Sequence, residues 1–272
     1  MKNLFQRTVT GGLFGIMVYG TLFAGKLTFF IFYLVLMVFA LLEFYSHKDN
    51  TGLRVQKFVS LAASVMLFAF AFGYASGALS PKWFSLLLLF PPFMMIRELY
   101  RRDENSFAGL AAAFYGVIYI AVPLSLMNFL VFPGRIYDGY YPGLLAGILI
   151  LIMVNDTAGY LVGVPFGRNR LFESISPKKS WEGTVGGVVC VIVAGFFMNH
   201  LFPLLSRIDW IMVAAAAAVF GIYGDLAESQ LKRRLGIKDS GRLLPGHGGI
   251  LDRIDAWLFV IPAVWVYINF IS

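Results

Sequence analysis

Charge is scarce in this sequence, and the scarcity indicates a protein embedded in a membrane. Charged residues make up 14% of the 272 residues, and the mean hydropathy is +0.76. Soluble domains carry about 25% charged residues, so a soluble globular domain is excluded. We therefore predict an all-α, polytopic integral membrane protein, folded as a single transmembrane helical domain over residues 1–272, with the chemically active loops within 150–260.

Cysteine, cleavage signals and internal repeats are also scarce or missing. The one cysteine, Cys190, lies in an apolar run, so it forms no intrachain disulfide and does not reveal the redox compartment. No small-residue cleavage site follows the first apolar run, and we expect that run to be retained as a membrane span. No clear repeat divides the chain into two similar halves, unlike the transporters built from inverted repeats.

Long apolar runs predict nine membrane-spanning helices. A helix needs about 20 apolar residues to cross the hydrocarbon core. The fourth candidate is short and contains Pro91 and Pro92, which should kink it. The candidates lie approximately at 8–24, 27–44, 58–78, 83–97, 107–131, 143–163, 184–202, 208–224 and 254–271.

The distribution of lysine and arginine predicts the orientation. With nine spans, 18 of the 22 Lys and Arg residues lie on one side, and the other side holds Lys26, Lys82, Arg135 and Arg207. Cytoplasmic loops carry this excess, so we expect a cytoplasmic N-terminus and two cytoplasmic loops at 164–183 and 225–255. The net charge of +7 is then explained by loops that meet membrane lipids, and we expect no nucleic-acid partner.

The loop at 225–255 is a dense polar segment between two apolar spans. Asp252 and Asp255 are spaced i,i+3 at the start of the last span, so a helix would place both carboxylates on one face. Paired carboxylates suit Mg²⁺, although acids at a helix N-terminus also stabilise the helix itself. The segment contains eleven charged residues: Asp225, Glu228, Lys232, Arg233, Arg234, Lys238, Asp239, Arg242, Asp252, Arg253 and Asp255.

Asp225 is a third candidate metal ligand, at the inner end of the eighth span. Acids within membrane spans are most often functional, and we expect Asp225 to share a metal with Asp252 and Asp255. Glu228 and Ser229 follow at i+3 and i+4, on the same helical face. For Glu228 a salt bridge to Lys232 is an equally open interpretation, because Glu and Lys have the favourable i,i+4 order.

Basic residues and glycines around these acids indicate a phosphorylated ligand. Arg grips phosphate oxygens with two nitrogens and Lys acts as a point charge, although a surface that binds lipid headgroups is an alternative. Glycines allow backbone N–H groups to approach an anion, although they also form ordinary turns. The candidate substrate-binding residues here are Ser229, Lys232, Arg233, Lys238, Arg242, His247, Gly248 and Gly249.

The loop at 164–183 adds a second set of candidates. Asp156 is an acid near the inner end of an apolar span, and the segment after it holds Ser176, Lys178, Lys179 and Ser180, which could bind a triphosphate. Gly159, Gly163 and Gly167 recur every fourth residue, which favours close helix packing. Glu43, at the end of the second span, and Glu98, among arginines, carry no functional expectation and are interpreted as interface and surface residues.

The polar segment resembles the signature of the CDP-diacylglycerol synthases (phosphatidate cytidylyltransferases). That pattern is Ser-x-hydrophobic-Lys-Arg, Lys-Asp, Leu-Pro-Gly-His-Gly-Gly and Asp-Arg-x-Asp, and residues 229–255 fill it without a gap. Residues 176–183 and Asp156 with its glycines are also similar to that family. The resemblance covers roughly 150–260, whereas 1–140 agrees in length and hydrophobicity alone.

The resemblance implies a reaction of CTP with phosphatidic acid that gives CDP-diacylglycerol and pyrophosphate. It also implies dependence on Mg²⁺, a possible second cation such as K⁺, a many-helix membrane fold and a homodimer. The compact length favours a bacterial plasma (inner) membrane, with the active site facing the cytoplasm. The alternatives are a CTP-dependent enzyme acting on another lipid phosphate or a polyprenol, and a transporter of anionic solutes.

Overall fold

A computed structural model describes residues 2–50, 55–100, 106–134, 136–237, 240–241 and 248–271. Within these ranges the chain is almost entirely helical, with one short β-hairpin, and this confirms the all-α prediction. The helices are α1 Lys2–Ala24, α2 Lys26–Asn50, α3 Lys57–Ala75, α4 Phe90–Leu99, α5 Ser106–Gly116, α6 Val122–Val131, α7 Pro142–Phe166, α8 Trp181–Leu201, α9 Arg207–Arg234 and α10 Leu251–Ile271.

Seven helices in the described part of the chain are long and apolar enough to cross a membrane. This confirms a polytopic membrane protein, while the count of nine spans stays a prediction. The apolar part of α1, Val9–Ala24, is shorter than the other seven. The seven are Lys26–Ser46, Lys57–Ala75, Phe107–Val131, Pro142–Phe166, Trp181–Leu201, Arg207–Arg234 and Leu251–Ile271.

The fourth predicted span, 83–97, consists of two different helical segments. A 3₁₀-helix covers Pro81–Leu89, and the α-helix α4 begins at Phe90. Pro91 and Pro92 lie in the first turn of α4, where a missing N–H leaves no helical hydrogen bond unmade. The prolines therefore mark the start of an α-helix. A π-helical segment, Val117–Ala121, similarly joins α5 to α6.

The chain divides into two compact units, which are described separately, and the single domain stays a prediction. The first unit contains Met1–Phe132 and Asp239–Arg253, and its core is lined by aromatic side chains of α2. Gly25, with φ 140°, provides the break between α1 and α2. The Tyr45 hydroxyl donates to the Ala113 carbonyl oxygen at 3.0 Å, which joins α2 to α5.

Two acids in the first unit are buried, and for Glu98 this shows that the predicted surface position is wrong. Glu43 is 6% exposed and Glu98 is 4% exposed. The amide nitrogen of Gln56 donates to a Glu98 carboxylate oxygen and to the Met94 carbonyl oxygen. Arginine neighbours in sequence suggested a surface position for Glu98, but tertiary packing turns its side chain inward.

The second unit contains Pro133–Lys238 and Ile254–Ser272, so the boundary between the units falls within α10. Glycines let α7 and α8 pack closely: a Cβ at Gly183 would lie 2.7 Å from the Gly159 carbonyl oxygen, and one at Gly187 would lie 2.8 Å from the Asn155 carbonyl oxygen. This confirms helix packing as the role of Gly159 and Gly163. Between these helices, β1 (Arg170–Phe172) pairs antiparallel with β2 (Ser176–Ser180).

Candidate active site

Three carboxylates of the second unit converge between the C-terminal part of α9 and the first turns of α10. One carboxylate oxygen from each of Asp225, Glu228 and Asp255 lies within 4.8 Å of the others. Asp225 and Glu228 occupy one face of α9 because they are three residues apart. Close packing of α10 against α9 brings in Asp255, since a Cβ at Gly224 would lie 2.8 Å from the Asp255 carbonyl oxygen.

Two lysines pair with this acidic cluster. The Lys179 ammonium, on β2, forms a salt bridge with Asp225, and the Lys232 ammonium forms one with Glu228 at i,i+4. The salt bridge that the sequence offered as one interpretation of Glu228 is therefore present, and the same side chain also belongs to the acidic cluster. Glu228 is fully buried, so its charge requires a nearby cation or hydrogen-bond donors.

Two further predicted residues of the second unit lie beside the cluster. The Ser229 hydroxyl donates to an Asp225 carboxylate oxygen at 3.3 Å. Asp156, on α7, interacts electrostatically with Lys179 and Asp225. The structure thus brings together four acids and two lysines from α7, β2, α9 and α10. Binding of substrate by these residues stays a prediction.

The hairpin that carries Lys179 is held at its base and along its side. The Glu182 carboxylate accepts hydrogen bonds from the backbone N–H groups of Arg168 and Asn169, at 3.1 and 3.2 Å. The Arg233 guanidinium donates to the Ile175 carbonyl oxygen at 3.3 Å and so connects α9 to the hairpin. These contacts fix the strand from which Lys179 reaches Asp225.

The remaining hairpin candidates occupy different positions. Lys178 and Lys179 are adjacent on β2 and point to opposite faces, and Lys178 is exposed. Ser180 is buried, and its hydroxyl oxygen accepts the Gly183 N–H at 3.2 Å as the N-cap of α8. Ser176 is half-buried at the start of β2. Their roles in substrate binding stay predictions, although a capping role accounts for Ser180 locally.

Among the described residues, three predicted site residues belong to the first unit: Gly248, Gly249 and Asp252. One Asp252 carboxylate oxygen accepts the N–H groups of Ser240 at 2.9 Å and Gly249 at 2.8 Å, so Asp252 holds both residues beside the start of α10. Gly248 has φ 83°, a backbone conformation that favours glycine. Lys238, Arg242 and His247 lie outside the described residues. Metal binding by Asp252 stays a prediction.

Glu43, on α2, contacts the residue that precedes α10, although its sequence context predicted no functional role for it. Its carboxylate oxygen accepts the Ile250 N–H at 2.9 Å, across 207 positions of sequence. An acid near one end of an apolar helix is the signal that singled out Asp225, and Glu43, near the end of α2, carries the same signal.

Known proteins resemble this chain over most of its length. The model of the cytidylyltransferase family matches residues 5–271. A phosphatidate cytidylyltransferase of Bacillus subtilis (strain 168) is 31% identical over 281 aligned positions that cover 100% of both chains. One from Staphylococcus aureus (strain COL) is 32% identical over 240 positions, 84% of this chain and 88% of that protein. The similarity therefore extends through 1–140, where the signature carried no information.

Proposed function

This chain belongs to the cytidylyltransferase family, and from that premise we propose that it converts CTP and phosphatidate into CDP-diacylglycerol and pyrophosphate. It is an enzyme, a nucleotidyltransferase, and a multi-pass membrane protein. The names of its relatives support the choice of phosphatidate as the acceptor. The observation that carries the mechanism is the cluster of Asp225, Glu228 and Asp255 beside two lysines.

The reaction exchanges one phosphorus–oxygen bond for another. A phosphate oxygen of phosphatidate forms a bond to the α-phosphorus of CTP, and the bond from that phosphorus to the bridging oxygen of pyrophosphate breaks. The leaving pyrophosphate takes the electron pair. Transfer of this kind depends on the alignment of two anions and on neutralisation of their charge, so the protein needs no nucleophile of its own.

The acidic cluster fits a divalent cation. Its three donors are carboxylate oxygens within 4.8 Å of one another, the donor type that Mg²⁺ prefers. Lys179 and Lys232 together supply two positive charges against three negative ones. We assign Mg²⁺ to Asp225, Glu228 and Asp255, with Asp252 as a further candidate, and a bound Mg²⁺ would supply charge neutralisation at the phosphates. The proposal of a second cation such as K⁺ rests on the family resemblance alone.

Lys179, Lys232 and Arg233 would hold phosphate oxygens of the two substrates. Lys179 and Lys232 form salt bridges with the acids, and Arg233 contacts the hairpin that carries Lys179. Their charges attract a triphosphate, and the anchored hairpin limits how far Lys179 can move. Lys178, Lys238 and Arg242 complete the proposed basic set.

We place the reaction at the cytoplasmic face of a bacterial plasma membrane, where CTP is available. The bacterial relatives support this membrane, and the excess of lysine and arginine in the loops supports this face. We also propose a homodimer. Native mass spectrometry in detergent should then give twice the chain mass of 30.3 kDa, whereas a single-chain mass would contradict the dimer.

An Asp225→Asn variant tests the role of the cluster in turnover. The purified protein receives CTP, Mg²⁺ and phosphatidate in mixed micelles, and pyrophosphate and CDP-diacylglycerol are both measured. We expect a loss of about a hundredfold or more, the size seen when one electrostatic contact to a transition state is removed. Asp138→Asn is the matched control, because Asp138 is an exposed acid in a loop of the same unit. Equal turnover by the two variants would contradict the assignment.

A panel of acceptors tests the substrate. Phosphatidate, an ether-linked analogue and a polyprenyl phosphate are supplied in turn to the wild-type protein. We expect cytidylyl transfer to be fastest with phosphatidate. Faster transfer to the polyprenyl phosphate would still support a cytidylyltransferase but would contradict phosphatidate as its acceptor.

A further inference from the structure

We propose that Glu43 is a positioning residue of the enzyme, which fixes the loop before α10 and through it Asp252. The proposal rests on the proposed function, because Asp252 is assigned there to the reaction. Glu43 lies on α2, and its carboxylate accepts the Ile250 N–H at 2.9 Å. Ile250 directly precedes the first residue of α10, so this bond is made at the point where the helix begins.

Two carboxylates hold consecutive amides of this loop. The Gly249 N–H donates to Asp252 at 2.8 Å, and the next N–H, of Ile250, donates to Glu43 at 2.9 Å. The peptide at 249–250 is therefore held by one acid from α2 and one acid from α10. A negative charge at a helix N-terminus is itself favourable, so Glu43 stabilises the start of α10 from a different helix.

Two glycines, Gly241 and Gly249, lie directly against the Glu43 carboxylate. A Cβ added at Gly249 would lie 1.7 Å from a Glu43 carboxylate oxygen, and one added at Gly241 would lie 2.6 Å from the carboxylate carbon. The backbone of Gly249 does not adopt the left-handed region that excludes other residues. A side chain at position 249 would therefore displace the Glu43 carboxylate from its place beside the Ile250 N–H.

Burial of the Glu43 carboxylate costs free energy, which the hydrogen bond from the Ile250 N–H helps to offset. A buried carboxylate must be compensated by hydrogen bonds or cations, and a neutral residue would avoid the cost. The charged acceptor strengthens the bond to the Ile250 N–H relative to a neutral one. Replacement of a residue that orients a metal ligand without itself binding the metal typically changes metal affinity or activity about tenfold to a hundredfold.

The first test compares Glu43→Ala and Glu43→Gln with Glu98→Gln. Glu98 is a matched control because it is an equally buried acid of the same unit, bonded to Gln56. We expect Glu43→Ala to lower kcat about tenfold to a hundredfold with KM for CTP nearly unchanged, and Glu43→Gln to recover part of the loss. Glu98→Gln should keep kcat near the wild-type value. Equal kcat for Glu43→Ala and Glu98→Gln would overturn the proposal.

The second test does not depend on activity. Hydrogen exchange of the peptide at 248–254 should become about tenfold faster in Glu43→Ala and should stay unchanged in Glu98→Gln, because a lost hydrogen bond exposes the amide. Gly249→Ala should resemble Glu43→Ala, and the double variant should be no worse than either. Unchanged exchange in Glu43→Ala, or fully additive losses, would overturn the proposal. A wild-type protein without cytidylyltransferase activity would instead refute the proposed function.

Discussion

Glu228 combines a structural and a chemical role in one side chain. It is fully buried, it pairs with Lys232, and its carboxylate is one of the three that converge beside α10. Loss of a buried partner leaves the other charge uncompensated, which costs more than the pair itself contributes. A single substitution at Glu228 therefore disturbs stability and chemistry together, and a second substitution is needed to separate them.

A comparison of two variants makes this separation. One is the single variant Glu228→Gln, and the other is the double variant that adds Lys232→Met. Glu228→Gln should lower the free energy of unfolding by about 3–5 kcal/mol, because Lys232 loses its buried partner. The double variant should regain most of that stability, and neither variant should regain turnover. Thermal unfolding in detergent and the pyrophosphate assay measure the two effects. Recovery of turnover in the double variant would contradict the chemical roles proposed for both Glu228 and Lys232.

The β-hairpin is the element that presents Lys179 to the acids. Its base depends on Glu182, whose carboxylate accepts two backbone N–H groups and the Asn169 side-chain amide. Since Lys179 and Glu182 lie only three residues apart, any loosening at the base reaches the lysine. Binding of the triphosphate should therefore weaken when Glu182 is replaced, although Glu182 itself contacts no substrate.

Glu182→Ala tests the hairpin as an element. We expect KM for CTP to rise about tenfold, since the base of the hairpin loses its charged hydrogen bonds and water replaces them only in part. Glu173→Ala is the control, because Glu173 is an exposed acid at the tip of the same hairpin. An unchanged KM in Glu182→Ala, with normal proteolytic resistance of the hairpin, would contradict its anchoring role.

The packing of α7 against α8 is the second element that supports the site. Gly183→Ala would place a methyl group 2.7 Å from the Gly159 carbonyl oxygen and 2.8 Å from the Gly163 Cα. We expect it to cost about 1–3 kcal/mol of unfolding free energy, as overpacking does. Gly20→Ala, with nothing within 4 Å, should be neutral or stabilising. Equal thermal stability of the two variants would contradict the close packing.

The predicted topology of nine spans concerns the whole molecule and specifies which loops face the cytoplasm. In a Cys190→Ser background, Glu173→Cys should react with an impermeant maleimide in inside-out vesicles, and Asp138→Cys should react in intact cells. The reason is that nine spans place the hairpin and the 133–141 loop on opposite sides. The reverse labelling pattern would overturn the orientation, and labelling of both from one side would overturn the span count.

The sequence predicted the residues of the second unit better than those of the first. Asp225 and Asp255 were recognisable because an acid beside an apolar span is rare. Helical spacing predicted that Glu228 lies near Asp225, three residues before it, and near Lys232, four residues after it. Glu43 carries the same signal, but its partner lies 207 positions away, so no local pattern reveals the contact. The hairpin was also missed as structure. Ser-Pro-Lys-Lys-Ser has little strand propensity, so pairing with β1 and its anchors must hold it in place.

Binding of Mn²⁺, an ion that takes the same oxygen ligands as Mg²⁺, tests the central claim most directly. Electron paramagnetic resonance counts free Mn²⁺ during titration of the purified protein, without substrate turnover. If Asp225, Glu228 and Asp255 hold the cation, Asp255→Asn should weaken binding about tenfold or more, while Asp138→Asn binds as the wild type does. Equal affinity of Asp255→Asn and the wild type would contradict the assignment of the metal to this cluster.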